Sequence, residues 1–236
     1  LTSAVTASLA AFAVTLLSGL LALHLRGRKS IVYASSAGAL IGAAALFLLP
    51  DAMRLVGRTN QLPMALVWLA AVLGFLIFYG LERAHSAQSA RLAGLGGAIG
   101  LAVHSFFDGV VIGQGFRAGE EIGYVLALAV MLHRMADGAG AVGLMLATDH
   151  GPGQTAAMLV LTALAPVLGA IAQSFVEVPA FLFALLLSFF AGMLFYSGSL
   201  RLFPEARRAS ISTSAVSLYF VAGFAIVCAA YVLSHS

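Results

Sequence analysis

Two segments of this 236-residue chain pair a histidine with an aspartate four residues later. The first reads His104-Ser105-Phe106-Phe107-Asp108-Gly109 and the second His133-Arg134-Met135-Ala136-Asp137-Gly138, so each is His-x3-Asp-Gly. On an α-helix, residues i and i+4 share one face. Each segment therefore presents an imidazole and a carboxylate on adjacent turns. If the two faces meet, two nitrogens and two oxygens converge. That donor set suits a tetrahedral divalent first-row ion, zinc above all, with iron, manganese or cadmium as alternatives. The same residues also admit an arrangement without an ion, in which each His–Asp pair closes a local hydrogen bond or both aspartates neutralise Arg134.

The elements that must position these residues are membrane spans. Hydrophobic residues make up 61% of the chain and charged residues 9%, with a mean hydropathy of +1.03. A soluble domain carries roughly 25% charged residues, so a water-soluble globule is excluded. The single cysteine, Cys228, excludes a disulfide scaffold. The pI near 9.4 does not point to nucleic acid, because the 12 Lys and Arg are scattered along the chain. Eight apolar stretches approach the roughly 20 residues that a spanning helix needs: 4–25, 31–50, 62–82, 93–116, 122–147, 154–175, 180–202 and 213–234. The first is too long for a signal-peptide core and has no basic leader, so it counts as a span. The expected fold is all-α, a polytopic membrane protein of eight transmembrane helices forming one domain over residues 1–236.

Orientation follows from the basic residues. Odd-numbered loops hold Arg26, Arg28, Lys29, Arg83, Arg91, Arg201, Arg207 and Arg208, whereas even-numbered loops hold Arg54, Arg58 and Arg117. The positive-inside rule places the odd loops in the cytoplasm and both termini outside, as suits a plasma or inner membrane protein. Glu120, Glu121 and Glu177 fall in outer loops, where they form a mildly acidic mouth or simply solvate the loops.

Only Asp108, Arg134 and Asp137 among the formally charged side chains lie well inside a span. A charge at the bilayer centre costs roughly 2.5–3.5 kcal/mol on insertion scales, so such residues mark function by default. Two aspartates and one arginine sum to −1, and a bound dication raises the total to +1. Arg134 is read as standing where a second cation would otherwise sit. Glycines 96, 97, 100, 109, 113, 138, 140 and 143 are expected to let the fourth and fifth spans approach closely. The second span closes on Leu48-Leu49-Pro50-Asp51-Ala52 and the seventh on Leu202-Phe203-Pro204-Glu205-Ala206. Either the prolines simply terminate helices, or the match reflects an inverted repeat relating spans one to four with spans five to eight, the second matching the seventh.

These motifs together resemble the ZIP (zinc/iron-regulated transporter-like) family of divalent metal transporters over nearly the whole chain. Leu46-Phe47-Leu48-Leu49-Pro50-Asp51-Ala52 is similar to the family's His-Leu-Leu-Pro-Glu-Ala. The stretch from Gly74 to Glu82-Arg83 resembles its Phe-x-x-Glu-Arg ending. His104 to Gly109 resembles its His-Asn/Ser-x-x-Asp/Glu-Gly signature, and Phe190-Ala191-Gly192 to Tyr196 with Pro204-Glu205 its Ala-Gly-x-x-x-Tyr…Pro-Glu pattern. The resemblance implies eight helices, extracytoplasmic termini, and a transport site of His104, Asp108, His133 and Asp137. It also implies an elevator-like movement carrying the ion toward the cytoplasm. Departures accompany it. The second metal site of many members is replaced: Ser105 stands for the asparagine, Arg134 for an acid, and Leu200 or Arg201 at a possible acidic position of the seventh span. Phe107 and Ala136 stand where prolines are common, so any kink in these two helices must come from glycine. The histidine-rich cytoplasmic loop is reduced to His85.

The expected partners are a divalent metal ion, the lipid bilayer and a second copy in a homodimer, with no nucleic acid. One rival reading is a proton- or sodium-coupled transporter using Asp108 and Asp137 with Arg134 as counter-ion. Another is a membrane metalloenzyme. A His-Glu-x-x-His motif is absent, so an enzyme is not expected.

Overall fold

The computed structural model describes residues 2–59, 63–83, 87–175, 179–209 and 212–235. The described residues are helical apart from short turns, with no strand among them. The order is α1 (Thr2–His24), a 3-10 turn (Leu25–Gly27), α2 (Lys29–Ala43), a π-helical turn (Ala44–Leu48), α3 (Leu49–Thr59), α4 (Met64–Arg83) and α5 (Ala87–Ala118). Then follow α6 (Glu120–Ala147), α7 (Pro152–Ala172), α8 (Ala180–Tyr196), a second π-helical turn (Ser197–Leu202), α9 (Phe203–Arg208) and α10 (Thr213–His235). Among the described residues, six stretches are long and apolar enough to cross a bilayer: Thr2–Gly27, Lys29–Gly57, Gly94–Arg117, Pro152–Ala172, Ala180–Arg208 and Thr213–Leu233. Met64–Gly80 is a shorter apolar helix. Large apolar side chains such as Leu17, Trp68, Leu76, Leu168, Leu218 and Val232 stay exposed on these helices, as a lipid-facing surface requires.

The two Pro-acid motifs do not end their helices. Proline lacks an N–H and its ring crowds the carbonyl four residues back. Here the chain widens just ahead of each proline, as a π-turn can do without ending a helix. The Leu49 N–H donates to the Ala44 carbonyl, and the Phe203 N–H to the Gly198 carbonyl, each five residues back. The helices then continue through Pro50 to Thr59 and through Pro204 to Arg208. The expected loops after residues 50 and 202 are in large part helix. Between α5 and α6 the turn is Gly119 alone, so Glu120 and Glu121 lie in the first turn of α6, where acids complement the helix dipole. Glu177 and His85 lie outside the described residues.

Packing follows glycine. Gly109 of α5 lies against the Pro166 carbonyl of α7, and Gly169 of α7 against the Phe106 carbonyl of α5. Gly138 of α6 lies against the Thr15 carbonyl of α1. The same device joins Gly74 and Gly192 across α4 and α8, and Gly38 and Gly223 across α2 and α10. At each of these a Cβ would collide with main chain. Gly109 and Gly138 were expected to bring α5 and α6 together, but they seat those helices on α7 and α1. The α5–α6 contact instead uses positions such as Gly97, where a Cβ would sit 3.4 Å from Leu144.

Two groups of four rods result: α1, α5, α6 and α7 in one, and α2–α3, α4, α8–α9 and α10 in the other. Between the groups the neighbours of glycine are side chains, Leu40 at Gly140, Ser36 at Gly143 and Met193 at Gly100. The neighbour pattern is itself repetitive. α1 packs on α6 as α7 packs on α5, and α10 on α2 as α4 on α8. This matches the second span with the seventh and the fourth with the fifth. It corrects the expected halves: the first three rods correspond to the last three, flanking a central pair. Halves of four with the second rod matching the seventh would require α10 to pack on α5 as α1 packs on α6, and α10 and α5 share no comparable contact.

Replacing Gly109 with alanine should therefore force α5 from α7. The expected loss is about 1–3 kcal/mol, the usual cost of overpacking. Gly96→Ala serves as control, because among the described residues its Cβ meets only Phe78 Cε1, at 3.7 Å. Thermal melting of the purified protein in detergent reads the difference, and equal melting of the two variants contradicts the backbone-contact account.

Candidate metal centre

Helices α5 and α6 are adjacent, joined through Gly119 alone, and antiparallel as such a short connection demands. Their two motifs therefore meet at one depth. His104, Asp108 and Asp137 are buried and each offers one donor atom, with all three atoms within 4.8 Å of one another. His104 Nε2 lies 3.5 Å from Asp108 Oδ2, a separation beyond a good hydrogen bond. His133 stands on α6 at the expected position, but its side chain lies outside the described residues.

Arg134 is the largest fully buried side chain among the described residues. Its Nη1 donates to Asp108 Oδ2 at 3.2 Å and to Asp137 Oδ2 at 3.0 Å. Its Nε donates to Thr15 Oγ1 of α1 at 2.9 Å, and its Nη2 to the Thr162 carbonyl of α7 at 2.9 Å. One guanidinium thus ties α1, α5, α6 and α7. The planar fork makes this possible, since its donors point in fixed directions. The buried charges sum to −1, counting two carboxylates against one guanidinium. Asp137 Oδ1 and Thr162 Oγ1 are buried and have no hydrogen-bond partner among the described residues. Native interiors rarely leave such atoms unmatched, and an unmatched one calls for an ion, a water or a functional reason.

The remaining expected positions fall as follows. Ser105 donates its hydroxyl to the Leu101 carbonyl of its own helix at 2.7 Å. Leu200 is half exposed, and Arg201 donates to the Ala147 carbonyl at 2.8 Å. Neither supplies an acid. Phe107, in a frequent proline position, packs against Phe183 of α8 with ring centroids 5.5 Å apart. Ala136, in the other, is buried within α6. Without prolines, α5 stays a regular helix over 32 residues.

Sequence reasoning missed Thr15 and Thr162. Both are fully buried hydroxyl residues within charge-free spans. That isolation was the available signal. It is a weak one, because a threonine in a span ordinarily bonds its own helix, as Thr15 also does to the Ala11 carbonyl.

A buried trio of imidazole and carboxylates, with a carboxylate oxygen still unmatched, is chemically fit to take a divalent cation from water. A comparison with curated proteins gives no match. The family model for the ZIP zinc transporters matches residues 83–230, well over half of the chain and all of α5 to α9. With the apolar helices and the buried donor cluster already described, this match makes the chain a member of the ZIP zinc transporter family, whose members move divalent metal ions across membranes.

Proposed function

We propose that the protein imports a divalent ion, zinc first, through a mid-membrane site of His104, Asp108, His133 and Asp137. The observation that carries this is the buried group of donor atoms from two helices within 4.8 Å. Neutral imidazole and ionised aspartate are the binding forms. The ion sheds water on entry and replaces Arg134 Nη1 as the partner of both carboxylates. Arg134 need not leave, because its Nε and Nη2 are anchored on Thr15 and Thr162. Its retained charge disfavours a second ion beside the first, which accounts for a single-ion site in the presence of Ser105 and Arg134.

Eight spans, extracytoplasmic termini and an inverted repeat belong to this reading; the repeated neighbour pattern supports the repeat, and the excess of basic residues in odd-numbered loops supports the orientation. So does an elevator-like step. The group α1, α5, α6 and α7 holds the site and is locked internally by glycine against main chain. Its seam with the other group rests on side chains and on bonds such as Ser36 Oγ to the Ala139 carbonyl at 3.0 Å. Rigid bodies with a softer seam are what relative sliding needs. A second reading is favoured by one observation, the Arg134 ion pairs themselves: proton or sodium exchange at Asp108 and Asp137 with Arg134 as counter-ion.

Zinc uptake into proteoliposomes separates the two. His104→Ala and Asp137→Ala should each lower uptake at least about tenfold, and wild-type uptake should fall as the medium is acidified and the ligands protonate. Proton or sodium flux without zinc, unaffected by His104→Ala, would establish the second reading instead.

Arg134→Met leaves two buried carboxylates without their cation. Loss of one partner from a buried ion pair costs about 3–5 kcal/mol. The variant should melt below wild type in chelator and recover more than wild type on adding zinc, since an ion that binds only the folded state stabilises it. Differential scanning fluorimetry measures both shifts. A variant as stable as wild type in chelator would contradict the tethering role.

A further inference from the structure

A cleft of about 420 Å³ lies where α1 and α6 of one group face α2 and α10 of the other. Its walls include Leu21, Leu25, Val32, Ala39, Met135 and Ile226, and Ser18, Ser35 and Ser36 add the few polar atoms. All three hydroxyls are already directed to main chain, Ser18 to the Thr15 carbonyl at 3.0 Å, Ser35 to the Ile31 carbonyl at 2.7 Å and Ser36 to the Ala139 carbonyl at 3.0 Å. The lining is thus effectively hydrocarbon. Along α1 it runs from Val14 to Leu25, roughly 16 Å at 1.5 Å per residue. That is about half of the ~30 Å hydrocarbon core, the depth of one leaflet. Leu21 and Ile226 are exposed at the rim, so the cleft opens sideways.

The shallow end of the cleft is charged. Leu25 is followed at once by Arg26, Gly27, Arg28 and Lys29, all exposed on the tight turn between α1 and α2. Ser30 Oγ donates to the Ala209 carbonyl at 2.9 Å, which brings the end of α9, with exposed Arg207 and Arg208, to the same end of the bundle. Among the described residues, Arg208 of this pair is matched locally, by Glu205 at 2.7 Å. An apolar slot one leaflet deep beneath a cluster of cations is complementary to one molecule class available throughout the surroundings. We propose that the cleft holds an acyl chain of an anionic phospholipid, with its phosphate on Arg26, Arg28 and Lys29.

The site is separate from the metal ligands and rests only on the membrane setting. It lies on the seam between the two helix groups, and its deep end, at Met135, Ala136 and Ala139, flanks Asp137.

The test reconstitutes the protein in equimolar phosphatidylglycerol and phosphatidylcholine, then extracts it gently and weighs it intact with its retained lipid. Each basic residue near an anionic surface contributes about a fivefold preference. Wild type should retain phosphatidylglycerol at least about tenfold over its bulk ratio. Arg26→Gln, Arg28→Gln and Lys29→Gln combined should return retained lipid to the bulk ratio. Leu21→Trp with Ile226→Trp, both at exposed rim positions, should lower retention of either lipid at unchanged melting temperature. Bulk-ratio retention by wild type, or a preference that survives the triple substitution, would overturn the proposal. So would a second protein chain, in place of lipid, recovered on wild type and lost with the two tryptophans.

Discussion

A buried guanidinium shared by two carboxylates dictates much of what surrounds it. At a buried position a lone charge is untenable, and a matched set holds only if every donor finds an acceptor. Arg134 meets that demand by reaching three neighbouring helices and its own, so the helices must approach within bonding distance of a single side chain. Gly109 and Gly138, each following its aspartate, remove the obstacle that a side chain would present to α7 and α1. The charge cluster and the close crossings are thus two sides of one requirement.

The same rule divides the molecule. Where glycine lets main chain touch main chain, neighbouring helices have little freedom to slide. Where side chains such as Leu40 and Met193 intervene, rotamers can adjust. The main-chain contacts lie within each group of four rods, and those of glycine between the groups are with side chains. The cleft between α1, α6, α2 and α10 lies on that looser seam, and its proposed acyl chain would fill space that either group can vacate or compress.

Much of this architecture is legible in the chain. Length and apolarity fix where helices start, since α1, α4, α8 and α10 begin within two residues of the expected spans. The His-x3-Asp-Gly spacing brings His104, Asp108 and Asp137 together because helical periodicity and an antiparallel pair leave little choice. Helix ends at Pro50 and Pro204 are misread for a physical reason: a proline is incompatible with a regular turn, and local reasoning does not anticipate that one widened turn removes the conflict. The roles of Gly109 and Gly138 are misassigned because sequence specifies that a close contact is possible and leaves its partner open. Thr15 and Thr162 are invisible because their part depends on tertiary placement alone.

The buried charge count has a consequence for energetics across the bilayer. On the proposed cycle the loaded site carries +1 and the empty site −1, from the two aspartates, Arg134 and a dication. A membrane potential acts on both, at about 2.3 kcal/mol per charge per 100 mV for a full crossing. A negative interior draws the loaded site inward and drives the empty site back out. Arg134 thereby makes both half-cycles responsive to voltage in the importing direction, whereas the two aspartates and a dication alone would make the loaded site neutral; currents recorded under voltage clamp distinguish the two cases.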